Sequence, residues 1–338
     1  MTTVTVYRSS DASAPSLTGQ AGGLITVLDA CLVNGYGSQA NAGWTKAYSG
    51  TNKAAYRNSA VDGTGFYLHI DDTGTNNTAK EALMTGFEVM SGIDTGTGQF
   101  PTSAQLNLFA GSVTGGVVCR KSTTADSTVR NWTLVADDTV FHFFAETGDA
   151  TNPVAAYPFS FGDIFAYKSS DAYRCLIQGR PLANSGNTTT DVWGTFSLVN
   201  NTSLTSTLAG HYMPRTWTAL GGSVQVGKHT DYFKTGYVNT GGMSYGYTAA
   251  TNYFPYPNGP DGGLYLAPVW VHHTNAVRGY LKGLWCPCHY LPLNHNDTYS
   301  GTGNLSGKSF VVQNIITSNG SNLGLGGQVH VETSSTWS

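Results

Sequence analysis

Apolar and polar residues alternate from Thr3 to Tyr7, with Val4 and Val6 on one side and Thr3, Thr5 and Tyr7 on the other. A period of two is the mark of a strand. The rhythm changes between Gly22 and Val33, where Leu24, Ile25, Leu28, Cys31 and Leu32 recur at three-and-four spacing. That stripe predicts one amphipathic helix over about residues 22–33, with Cys31 on its core face. Asn34-Gly35 supplies the stop.

Short β-type runs follow, separated by Gly, Thr, Asn and Ser: Lys53 to Arg57, Phe66 to Asp71, Ala82 to Val89, Val117 to Lys121, Trp132 to Ala136 and Val140 to Ala145. Asp137-Asp138 between the last two predicts a hairpin, because Asp tolerates turn conformations. Phe161 to Tyr167 and Arg174 to Gly179 flank Lys168-Ser169-Ser170-Asp171 and predict a second. Further strands are expected over Gly263 to His273, Arg278 to Trp285, Ser309 to Asn314 and Gly327 to Glu332. The fold class expected is mainly β, with one short N-terminal helix and antiparallel sheets packed sandwich-like, joined by long ordered loops. The polar stretch Arg180 to Asn187 marks a candidate boundary. It divides an N-terminal β-rich domain with the helix (1–180) from a C-terminal β-rich domain (188–338), unless the two are continuous.

Composition narrows the function. Only 37 of 338 residues are charged (17 basic, 20 acidic), 11% of the chain, against 12% aromatic. A soluble domain usually carries about 25% charge. Disorder needs high charge and few aromatics, so it is excluded. A net charge of −3 gives no basic footprint for direct nucleic-acid binding. Few like charges and many neutral hydrogen-bonding groups suit a surface packed against other subunits. Secreted sugar-binding modules share that composition. No apolar run reaches the roughly 20 residues of a membrane-spanning helix. The start, Met1 to Tyr7, has no charged n-region and apolar h-region, so a cytosolic origin with release by lysis is expected. Cys31, Cys119, Cys175, Cys286 and Cys288 are too few for a disulfide framework and read as reduced thiols.

Candidate chemistry is sparse. Cys286, Cys288, His289 and His295, with His272 and His273 upstream, carry the ligand types zinc prefers. Cys-x-Cys is tighter than the usual spacing, and Pro287 disturbs the strand that would align the two thiols, so no metal and no cofactor are expected. Asp71-Asp72 and Asp137-Asp138 are adjacent pairs, whereas glycosidases hold two carboxyls about 5–10 Å apart across a bond. Turn formation is the better reading. Gly307-Lys308-Ser309 lacks the earlier glycine of a phosphate loop, since Thr302 stands in its place. No Gly-x-Ser-x-Gly elbow occurs, and no enzyme is expected. Tyr232, Tyr237, Tyr245, Tyr247, Tyr253 and Tyr256 crowd a Pro-broken stretch that reads as a long interaction loop. Such rings pack interfaces and also stack on sugars.

Several strings are distinctive: Thr3 to Ala12, Leu28 to Gly37, Gly43-Trp44-Thr45-Lys46, Arg278-Gly279-Tyr280-Leu281-Lys282-Gly283-Leu284-Trp285, and Glu332 to Trp337. In these the chain resembles uncharacterised virion structural proteins of tailed bacteriophages, over most of its length and most strongly at both ends. The resemblance implies membership in a particle, not a reaction. The chain is expected to be a tail, baseplate or neck subunit contacting other virion proteins and copies of itself, assembled in the host cytoplasm. Two alternatives are a capsid decoration protein and a receptor- or glycan-binding virion module, for which a host surface glycan is a candidate partner. Cys286-Pro287-Cys288 is not part of the resemblance.

Overall fold

The structure, a computed structural model, describes residues 3–74, 80–102, 105, 116–148, 156–181, 211–221, 226–228, 266–273, 276–287, 293–315 and 328–337. Among the described residues it is mainly β, with antiparallel sheets and one short helix at the N-terminal end. Three large sheets share a single buried core.

The central sheet runs in the order Thr5–Arg8, Trp132–Ala136, Val140–Ala145, Tyr157–Asp163, Cys175–Gln178, His211–Tyr212. Its four inner strands are buried at every residue. That explains a sequence such as Val140-Phe-His-Phe-Phe-Ala145, which does not alternate: both faces are covered. Phe141 and Phe161 meet Trp44 at ring distances of 5.4 and 6.0 Å on one face. His142 and Ser160 point to the other, toward Lys282.

The N-terminal sheet covers the first face. Its order is Arg180–Pro181, Val117–Arg120, Glu81–Phe87, Tyr67–Asp71, Lys53–Arg57, Thr45–Gly50. The helix lies between this sheet and the central one, as an α-helix over Gly23–Leu28 that widens into a π-helix over Asp29–Asn34. Leu24, Ile25, Leu28, Cys31 and Leu32 are all buried, as the stripe required, and Val27 joins them. The widening is the one feature the periodicity did not carry: the Gly35 N–H bonds back to the Ala30 carbonyl. Gly35 itself sits at φ +77°, a conformation glycine adopts without strain.

The C-terminal sheet covers the second face, in the order Val226–Lys228, Leu266–His273, Ala276–Pro287, Gln328–Glu332, Ser309–Asn314, Thr298–Ser300. Phe165–Ala166 also pairs with the long strand Ala276–Pro287. The hairpin about Asp137-Asp138 is present, its turn held by Asp137 Oδ1, which accepts the Thr139 and Val140 N–H groups. The second hairpin is present only in part. Tyr157–Asp163 pairs with Cys175–Gln178, but Phe165 and Ala166 leave that partner for Tyr280 and Gly279.

Strand pairings run across the polar stretch at 180–187. Tyr212 extends the central sheet beside Ile177, and Phe165 joins the C-terminal sheet. The first and last described segments also meet, the Val4 N–H donating to the Ser335 carbonyl at 2.9 Å.

Candidate functional site

The clearest accessible chemistry is an aromatic row on the solvent face of the C-terminal sheet. Phe165, Tyr280 and Trp270 stand opposite one another on three neighbouring strands. Residues alternate along a strand, so Val269, Val271 and Leu281 beside them point inward and are buried. Phe165 stacks on Tyr280 at 4.7 Å and 17°. Tyr167 meets both edge-on, at 6.2 and 6.1 Å. Its hydroxyl accepts a hydrogen bond from Trp270 Nε1 at 3.1 Å. Burial, with Tyr167 close by, pushes the Tyr280 phenol above its ordinary pKa.

Phe165 and Tyr167 remain 42% and 57% exposed, although large aromatics are usually mostly buried. The loop that carries Phe165 and Tyr167 is anchored to the long strand. Asp171, four residues after Tyr167, is buried and held by Arg278 of the long strand. Lys168, the one charge beside the rings in sequence, is directed to the Trp217 carbonyl at 3.1 Å. A fixed, neutral ledge of Phe, Tyr and Trp matches the composition of interface hot spots, where rigid rings cost little entropy on binding.

The residues singled out from the sequence fall elsewhere. Tyr232, Tyr237, Tyr245, Tyr247, Tyr253 and Tyr256 lie outside the described residues, as do Cys288 and His289. Cys286 pairs with Ala267 at the end of the long strand, and the backbones of His272 and His273 pair with Val277 and Ala276. Both ring nitrogens of His295 are engaged. Nδ1 accepts the Asn314 N–H at 3.0 Å, and Nε2 donates to Glu146 at 3.0 Å. Burial works to raise the Glu146 carboxyl, but hydrogen bonds from His295 and Asn131 prevail and hold it below its usual range. His295 thus ties the turn before Thr298–Ser300 to the end of Val140–Ala145. Among the described residues no group of three His, Cys, Asp or Glu side chains is placed to hold a metal ion. Cys31, Cys119 and Cys175 are buried free thiols.

Both aspartate pairs serve structure. Asp71 accepts from the Thr73 N–H and hydroxyl. Asp72 is fully buried and caps the helix from afar, accepting the Leu24 N–H at 2.9 Å. Lys308 pairs with Glu332 at 2.8 Å, and Ser309 opens a strand, so no phosphate loop forms there.

The chain matches no known family model and no curated protein sequence.

Proposed function

We propose that this chain is a non-enzymatic structural subunit of a tailed-bacteriophage virion, at the tail, baseplate or neck, and that the aromatic ledge is where it meets a neighbouring subunit. The observation that carries the reading is the ledge: four aromatic residues, two of them more than 40% exposed, on a chain with only 11% charged residues. Alone in solution such a face invites association, whereas in a particle it is covered. The phage-like strings support the same reading. Arg278 anchors the ledge loop, Gly279 lets that loop's backbone cross, and Tyr280 is its middle ring.

Labelled antibody against the chain, imaged on purified particles, tests the proposal. Label at the tail, baseplate or neck is expected. Label over the capsid would make it a decoration protein, and unlabelled particles would overturn virion membership. Ledge variants that retain incorporation but lose adsorption to host cells would instead favour the glycan-binding reading, since the same rings can stack on sugars.

A further inference from the structure

Lys121 follows the strand Val117–Arg120, and Asp72 follows Tyr67–Asp71, two places away in the N-terminal sheet. Both side chains are completely buried. Lys121 Nζ donates to the Gln20 carbonyl at 2.6 Å and to Asp72 Oδ1. The other carboxyl oxygen, Oδ2, accepts the Leu24 N–H at 2.9 Å. An amine therefore faces a carboxyl whose far oxygen is polarised by a backbone donor, in a site closed to solvent.

We propose that Lys121 and Asp72 become joined by an amide bond in the folded chain, a covalent cross-link across the strand Glu81–Phe87 that lies between them. The bond that forms is Nζ–Cγ and the bond that breaks is Cγ–Oδ1. Oδ1 leaves as water, taking both of its protons from the Lys121 ammonium, so atoms and charge balance without oxidant or co-reactant. One proton passes to the carboxyl first, which frees the nitrogen lone pair. Burial favours that transfer, since it pushes the Asp72 carboxyl up to about 6 despite the opposing pull of Lys121.

The surroundings fit each stage. As Nζ adds to Cγ, negative charge grows on Oδ2, where the Leu24 N–H already points, as in an oxyanion hole. In the product Oδ2 is the amide oxygen and keeps that bond. The remaining N–H keeps the Gln20 carbonyl. The cross-link thus keeps the Leu24 and Gln20 hydrogen bonds that the ion pair makes.

Two general effects favour the reaction. Holding reactants in contact gives effective concentrations on the order of 10⁵ M or more. Replacing two desolvated charges by a neutral amide also removes the cost of holding both ions away from water.

The intact mass of the purified full-length chain tests this. It should fall short of the sequence mass by one water molecule, and a digest should yield one branched peptide containing Lys121 and Asp72. Lys121→Arg keeps the charge but cannot condense, and should show the full mass. A wild-type chain of full sequence mass overturns the proposal. So does a water loss located elsewhere, such as a succinimide at Asp62-Gly63, with Lys121 and Asp72 recovered on separate peptides. The wild-type mass decides the matter even if the variant fails to fold.

Discussion

Arg278 and Asp171, 107 residues apart, form a two-pronged ion pair at 2.7 and 2.9 Å with both side chains at 1% exposure or less. The guanidinium also donates to the Tyr173 and Arg215 carbonyls at 2.8 and 2.7 Å. One planar group thereby fixes Asp171 in the loop after Tyr167, Tyr173 two residues on, and Arg215 to a single strand. Lysine has no such fork and cannot replace it. Arg278→Met should cost about 3–5 kcal/mol, because it leaves Asp171 buried and uncompensated. Arg278→Met with Asp171→Leu should recover much of that loss. Urea midpoints of the two variants check this, and a double variant no more stable than the single one would contradict it.

His142 makes stability depend on pH. Its Nε2 donates to the Lys282 carbonyl at 2.7 Å, so Nδ1 is the acceptor from the Ser160 hydroxyl at 2.8 Å. Complete burial lowers its pKa to about 4, against 6.5 when unfolded. The folded chain therefore holds fewer protons than the unfolded chain between these values. The contribution is fully present above pH 6.5 and is lost as pH falls toward 4, by about 3 kcal/mol. Asp72 acts in the opposite sense only in a chain where it is not joined to Lys121, since there its raised pKa favours folding as pH falls from about 6 toward its unfolded value. The difference between wild type and His142→Gln isolates the histidine. Denaturation midpoints taken from pH 7 to pH 4 should converge, and parallel curves would refute the assignment.

Gly283 and Trp337 fit as a notch and a plug. Gly283 has φ +70°, and a Cβ there would lie 2.4 Å from Trp337 Cε2. Gly283→Ala should cost at least about 2 kcal/mol, combining left-handed strain with displacement of the indole. Trp337→Ala removes the collision but not the strain, so the two losses should be less than additive. Strict additivity in thermal melts would show that the indole does not sit against the Gly283 notch.

Tyr167→Ser separates contact from folding. The residue is 57% exposed, so the free protein should lose less than about 1 kcal/mol. Incorporation into particles should fall at least about tenfold if the ring is an interface anchor worth some 1.4 kcal/mol or more. Unchanged incorporation would remove the ledge from the interface.

The sequence made local pattern legible and distant partnership invisible. The helix was readable because Leu24, Ile25, Leu28, Cys31 and Leu32 all obey one period. The first hairpin was readable because Asp137 carries the turn within four residues. The second was readable only to Asp163, because Phe165 takes its partner from Tyr280, far along the chain. The ledge itself has no local signal. Phe165 and Tyr167 look like ordinary strand residues until Trp270 and Tyr280 are set beside them. The buried pairs Asp72–Lys121 and Asp171–Arg278 likewise join residues whose neighbours in sequence give no hint of an opposite charge. The tyrosines crowded at 232–256 fall outside the described residues.

The strand Ala276–Pro287 can settle in only one alignment. Arg278 must meet Asp171, Gly279 must pass under the Phe165 backbone, and Lys282 must reach His142 and Thr139. Gly283 must receive Trp337, and Trp285 must find Glu332. A slip of one residue would reverse every side chain and break all of these at once. The partners are spread from residue 139 to residue 337. During synthesis the strand emerges well before its last two partners exist. The long strand is therefore a late, all-or-none closure, and a nascent chain stalled before residue 332 should leave it undocked.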